Sequence, residues 1–133
     1  MPNLRRIGET APKILVVDDE PSACDFLEEF LNHRGYHVST ARNGEEALER
    51  VRADPPHLML LDIRMAGMSG FEVLAHAVAL DPRLGVIVIS AVQEENIARR
   101  ALEAGACDYI AKPIDLGHLE SVMMARIADA LDC

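Results

Sequence analysis

The sequence predicts an open α/β sheet of parallel strands with helices on both faces, and three observations lead there. Short aliphatic runs alternate with longer stretches of helical period, as they do where each strand is followed by a crossover helix. Half of the 133 residues are apolar, yet only 4% are aromatic and Trp is absent. Leu, Val, Ile, Ala and Met must therefore fill the core, which suits strands covered on both sides. Charged residues also stand where the buried runs end: Asp18 and Asp19 after Lys13-Ile-Leu-Val-Val17, Asp62 after Leu58-Met-Leu-Leu61, and Lys112 after Tyr109-Ile-Ala111.

The elements follow in order. Residues 1–12 are polar and contain Pro2, Gly8 and Pro12, so they read as a flexible leader ahead of a domain over 13–131, with 132–133 a tail. Strands are expected near 13–18, 37–41, 57–62, 85–90 and 108–111, with five helices between and after them. The first helix begins at Pro21, turns Phe26, Leu27, Phe30 and Leu31 inward, and stops at Gly35. The second follows Asn43-Gly44, carries Ala47, Leu48 and Val51, and is ended by Asp54-Pro55-Pro56, because proline cannot continue a helix. Gly105 is expected to close the fourth helix as Gly35 closes the first. The fifth runs from about Asp115 to Leu131 with Leu116, Leu119, Met123, Ile127 and Ala130 on its core stripe. Met124, Ala128 and Leu131 widen that arc into a candidate partner face. No linker or output domain is expected within these residues.

All strands of a parallel sheet point their carboxyl ends at one edge, so the charged residues converge in a single crevice. Three carboxylates crowded there repel one another, and the cluster makes sense only if a divalent cation and the lysine neutralise it. This reads as a metal-assisted phosphoryl site. A net charge of −9 without a basic stripe argues against direct nucleic-acid binding by this segment. Cys24, Cys107 and Cys133 are odd in number and lack CxxC or Cys/His spacing, which points to a reducing cytoplasm. No apolar run approaches the roughly 18 residues of a membrane span, and no signal-peptide core is present. A soluble, cytoplasmic protein is expected.

With these residues in view, the chain resembles the receiver domain of bacterial two-component response regulators over almost all of Lys13 to Leu131. The matching motifs are Val17-Asp-Asp-Glu20, Leu60-Leu-Asp-Ile-Arg-Met65, Gly67-Met-Ser-Gly70, Val88-Ile-Ser-Ala91 and Asp108-Tyr-Ile-Ala-Lys-Pro-Ile114, in order and at family spacing. The resemblance implies a flavodoxin-like (βα)5 sandwich with strand order 2-1-3-4-5. It implies that Asp62 takes a phosphoryl group from a histidine kinase or phosphotransfer protein to form an acyl phosphate. Asp18, Asp19, Asp62 and the Arg64 main-chain carbonyl would hold Mg²⁺, or Mn²⁺ in its place. Lys112 would stabilise charge on the phosphoryl group, aimed by a cis bond to Pro113. Ser90 resembles the switch hydroxyl, and Tyr109 the aromatic that turns inward with it.

The same resemblance implies an output surface of the fourth helix, fifth strand and fifth helix; Ile97, Arg100, Tyr109 and Met124, placed on or beside the fourth and fifth helices, are expected to belong to the part that responds. That surface would serve a downstream protein or fused output domain, and a homodimer. Enzymatic activity is expected only toward its own phosphorylation and dephosphorylation. One departure stands out: the family commonly has proline where this chain has Ala66, so the loop after the nucleophile is expected to be less restricted. Blander readings exist for single residues, such as Asp19 capping the helix that begins at Pro21. The alternative for the whole chain is a pseudo-receiver, an interaction module that never carries phosphate. An aspartate-nucleophile phosphohydrolase usually has a second carboxylate where Arg64 stands. A flavodoxin-like electron carrier would need a phosphate loop that Asp18-Asp19-Glu20 repels.

Overall fold

The structure is a computed structural model that describes residues 11–91 and 96–132, with side chains through residue 128. The strands are β1 (Lys13–Val17), β2 (His37–Ala41), β3 (Leu58–Asp62), β4 (Gly85–Ser90) and β5 (Asp108–Ala111). Between and after them lie α1 (Pro21–His33), α2 (Gly44–Ala53), α3 (Gly70–Leu80), α4 (Ile97–Glu103) and α5 (Leu116–Asp132). The sheet is parallel throughout, in the order β2-β1-β3-β4-β5. The expected strand bounds hold to within a residue, Asp18 standing one place beyond β1.

Successive side chains of a strand point to opposite faces, and this alternation divides the core in two. Leu15, Val17, Met59, Leu61, Val86 and Val88 pack with buried residues of α2, α3 and α4. Ile14, Val16, Leu60, Ile87, Ile89 and Ile110 pack with Cys24, Leu27 and Leu31 of α1 and with Leu119, Met123 and Ile127 of α5. Each fully buried aliphatic side chain contributes roughly 1.5–3 kcal/mol relative to exposure. The central strands, buried on both faces, therefore hold the charged ends of β1 and β3 rigidly.

Helix ends follow their local chemistry. Asn43 Oδ1 accepts from Glu46 N–H at 2.8 Å, and Ser69 and Glu72 form a reciprocal capping box at the start of α3. Gly35 and Gly105 adopt positive φ just past α1 and α4, as expected of αL caps. Asp115 lies just before α5 and caps it, accepting from His118 N–H at 3.2 Å. The N-cap of α1 is Glu20, with no side-chain cap bond, so Asp19 does not fill that place.

One core expectation is corrected. Phe26 is 56% exposed, because the buried stripe of α1 is Cys24, Leu27 and Leu31, and Phe26 falls on its flank. Phe30 is only partly buried. On α5, Met124 and Ala128 are exposed as expected, while the side chains of Ala130 and Leu131 lie outside the described residues. So do residues 1–10 of the expected leader, and Cys133.

Candidate functional site

Register explains how the charged residues meet. β3 lies between β1 and β4, with Val17 paired to Leu61 and Asp62 to Ile89, so the ends of the three strands stand side by side. Lys112 N–H donates to Ser90 O at 2.9 Å, which extends the β4·β5 ladder by one step and brings Lys112 to the same edge. The Lys112–Pro113 bond is cis, as the resemblance implied.

There the Lys112 ammonium donates to Asp62 Oδ2 at 2.9 Å and to Asp18 Oδ2 at 3.3 Å. Both carboxylates are buried, Asp18 at 4% exposure and Asp62 at 7%. Their other oxygens are held by the main chain. Arg64 N–H donates to Asp62 Oδ1 at 2.8 Å and Glu20 N–H to Asp18 Oδ1 at 3.0 Å. Burial pushes the Asp62 carboxyl up; the Lys112 hydrogen bond and the Arg64 N–H oppose that rise without cancelling it, and Asp18 adds to it. Desolvation pulls Lys112 down, but its hydrogen bond to Asp62 and the negative charges of Asp62 and Asp18 outweigh it, so its net direction is up.

Asp19 behaves differently. It is exposed, and its Oδ2 accepts from Ala66 N–H at 3.2 Å rather than from Lys112. The structure therefore unites Asp18, Asp62 and Lys112 directly and brings Asp19 in through the loop after β3. Ser90 is wholly buried at the end of β4, next to the strand that ends in Asp62. Tyr109 is partly buried against the core on the α2–α4 face. Arg100 lies 4.3 Å over the ring of Phe71, linking α4 to the first turn of α3. Of the expected responsive surface, Ile97 is a correction: at 5% exposure it is a core residue of α4.

Sequence reasoning missed two features. Phe26 borders the cleft that Asp18, Asp62 and Lys112 line, and only its place on the helical wheel could have signalled that. The Ala66 N–H contact was missed because the alanine was weighed for loop entropy alone, although any residue but proline brings a donor.

The donors suit a hard cation. Every side-chain ligand candidate is a carboxylate oxygen, and among the described residues no three His, Cys, Asp or Glu side chains close into a cage. Mg²⁺ takes oxygen ligands of this kind and keeps several waters.

Residues 14–124 match the response regulator receiver domain. The chain belongs to that family. Among relatives of this receiver domain, the transcriptional regulatory protein ZraR of Escherichia coli is 40% identical over 115 residues, which are 86% of this chain and 26% of ZraR. The chain thus spans about a quarter of that relative. A CheY-like receiver domain protein from Methanospirillum hungatei superposes with a TM-score of 0.87 at 28% identity, covering 91% of this chain and 97% of that one. A response regulator from Burkholderia pseudomallei superposes with a TM-score of 0.79 at 29% identity over 91% of this chain and 69% of its own. That structure contains a phosphorylated aspartic acid, a calcium ion and citrate. Receiver domains are signalling switches of two-component systems and generally bind Mg²⁺. Among the described residues no helix is long and apolar enough to cross a membrane.

Proposed function

We propose that this receiver domain, with its boundaries at 13 and 131, is switched by phosphorylation of Asp62. The observation that carries the reading is the Lys112 ammonium bridging the buried carboxylates of Asp62 and Asp18 at the carboxyl edge. A carboxylate oxygen of Asp62 attacks the phosphorus of a phosphohistidine or a small acyl phosphate. An O–P bond forms as the donor's P–N or P–O bond breaks, and the leaving group carries away the electron pair. Lys112, already held within hydrogen-bond reach of Asp62, meets the charge gathering on the phosphoryl oxygens.

Asp18, Asp19, Asp62 and the Arg64 main-chain carbonyl would hold Mg²⁺, with Mn²⁺ as a substitute. The bound cation would supply positive charge beside the buried carboxylates of Asp62 and Asp18. Ser90 would give the phosphoryl group a hydroxyl partner, and its movement would be read out by Tyr109. The surface of α4, β5 and α5 would then favour one arrangement for a downstream protein, a fused output domain or a second copy. A histidine kinase or phosphotransfer protein is the proposed donor partner, and the cytoplasm the proposed compartment.

Incubation with acetyl phosphate and Mg²⁺, followed by intact-mass measurement, is expected to add one phosphoryl group to the wild type and none to Asp62→Asn. An Asp62→Asn protein phosphorylated at the wild-type rate would sink the assignment. A wild type that gains nothing would leave the pseudo-receiver.

A further inference from the structure

The loop after β3, residues 63–69, is fastened on several sides. Arg64 N–H ties it to Asp62, and Gly70 N–H donates back to Ile63 O at 3.3 Å. Met68 is seated on Gly44, the first residue of α2. A Cβ at Gly44 would stand 2.8 Å from Met68 Sδ and 2.6 Å from Val73 Cγ2, so only the absent side chain leaves that room. With Met68 lodged there, the loop presents Ala66 N–H to Asp19 Oδ2 at 3.2 Å, across 47 positions of sequence.

Asp19 needs such a contact more than its neighbours do. Asp18 and Asp62 are buried and held by Lys112, whereas Asp19 is exposed and makes no ion pair with Lys112. An exposed side chain samples several rotamers, and ordering it on a ligand costs entropy. The Ala66 N–H holds one carboxylate oxygen of this exposed side chain, Oδ2.

We propose that the main-chain N–H of Ala66 is a positioning group for the cation site: it pre-orders Asp19 for Mg²⁺, with Met68 on Gly44 holding the loop in place. The inference rests on the phosphoryl-accepting reading above and deepens it. Residue type at 66 matters through the backbone. Proline would delete the donor, while serine keeps it and adds only a hydroxyl at an exposed position. The loop expected to be less restricted for want of a proline makes a hydrogen bond that proline would have removed.

The test measures Mg²⁺ affinity by calorimetry for the wild type, Ala66→Pro and Ala66→Ser. Alongside it, NMR follows hydrogen exchange of the Ala66 amide in metal-free wild type and Asp19→Ala. Ala66→Pro is expected to bind Mg²⁺ about threefold to tenfold more weakly, the range a net hydrogen bond of this kind supports, and the conservative Ala66→Ser to bind as the wild type does. The Ala66 amide is expected to exchange about tenfold faster once Asp19 is alanine. Equal or tighter binding by Ala66→Pro, or exchange indifferent to Asp19→Ala, overturns the latch while the proposed function stands. A wild type that takes up no Mg²⁺ overturns both.

Discussion

At the carboxyl edge of the sheet, Lys112 reaches two carboxylates that are almost wholly buried. At the amino edge, Lys13 reaches Asp54 at 2.6 Å, but both side chains lie in water, at 39% and 63% exposure. The shorter contact is the less consequential one, because exposed ion pairs gain little over hydration and are screened by salt. The amino edge is organised by His57 instead. Its main-chain N–H donates to Lys13 O at 2.9 Å, and its Nδ1 accepts the Lys13 main-chain N–H at 2.9 Å. The same residue types thus bind charge at one end of the strands and merely close the ladder at the other. Burial, not charge count, separates the two.

The largest effect expected is at the buried edge. Lys112→Ala leaves Asp18 and Asp62 facing each other without their ammonium, so the metal-free protein should lose about 2–4 kcal/mol in urea denaturation, and phosphorylation should fail. An unchanged denaturation midpoint would erase the contrast with the amino edge. Next comes relief of crowding. Asp18→Asn removes one negative charge but keeps a single acceptor oxygen, enough for Lys112 or for the Glu20 N–H and not for both, so the metal-free fold should gain no more than about 1 kcal/mol as Mg²⁺ affinity falls. A destabilised metal-free Asp18→Asn would show that the carboxylates are already satisfied.

The amino edge should respond to pH, more weakly. Burial first, then the Lys13 charge, lowers the His57 pKa on folding, so the unfolded chain binds the proton more readily than the native one. Its contribution is complete above the unfolded value of about 6.5 and is lost as pH falls below that. Because His57 is only partly buried, the loss should stay under about 1 kcal/mol. In His57→Asn the side-chain oxygen can replace Nδ1 as acceptor, and stability between pH 7 and 5 should flatten; an identical slope would place the titration elsewhere. Smallest of all, Asp54→Asn should leave the denaturation midpoint within error, since the carboxylate it alters lies mostly in water.

Much of the fold was legible because its signals are local. The short aliphatic runs, Pro21, the Asp54-Pro55-Pro56 stop and the glycines after α1 and α4 act over a few residues, and each matched the structure. Phe26 was misjudged for a reason of geometry. On an α-helix it lies beside the Leu27 and Leu31 stripe, and whether a flanking position is covered depends on a neighbour that the local pattern does not contain. Ile97 fell inward by the same reasoning, its helix being set by contacts made elsewhere.

The sequence by itself determined the parallel α/β architecture and the gathering of Asp18, Asp62 and Lys112 at one edge, since strand direction in a crossover fold leaves the ends nowhere else to go. Tertiary structure alone decided how the carboxylates divide. Asp18 and Asp62 are buried on Lys112, while Asp19, adjacent to Asp18 in the chain, turns outward to the Ala66 N–H. Neighbouring residues leaving a strand point to opposite sides, and which partner waits on each side is set by a loop 47 residues away.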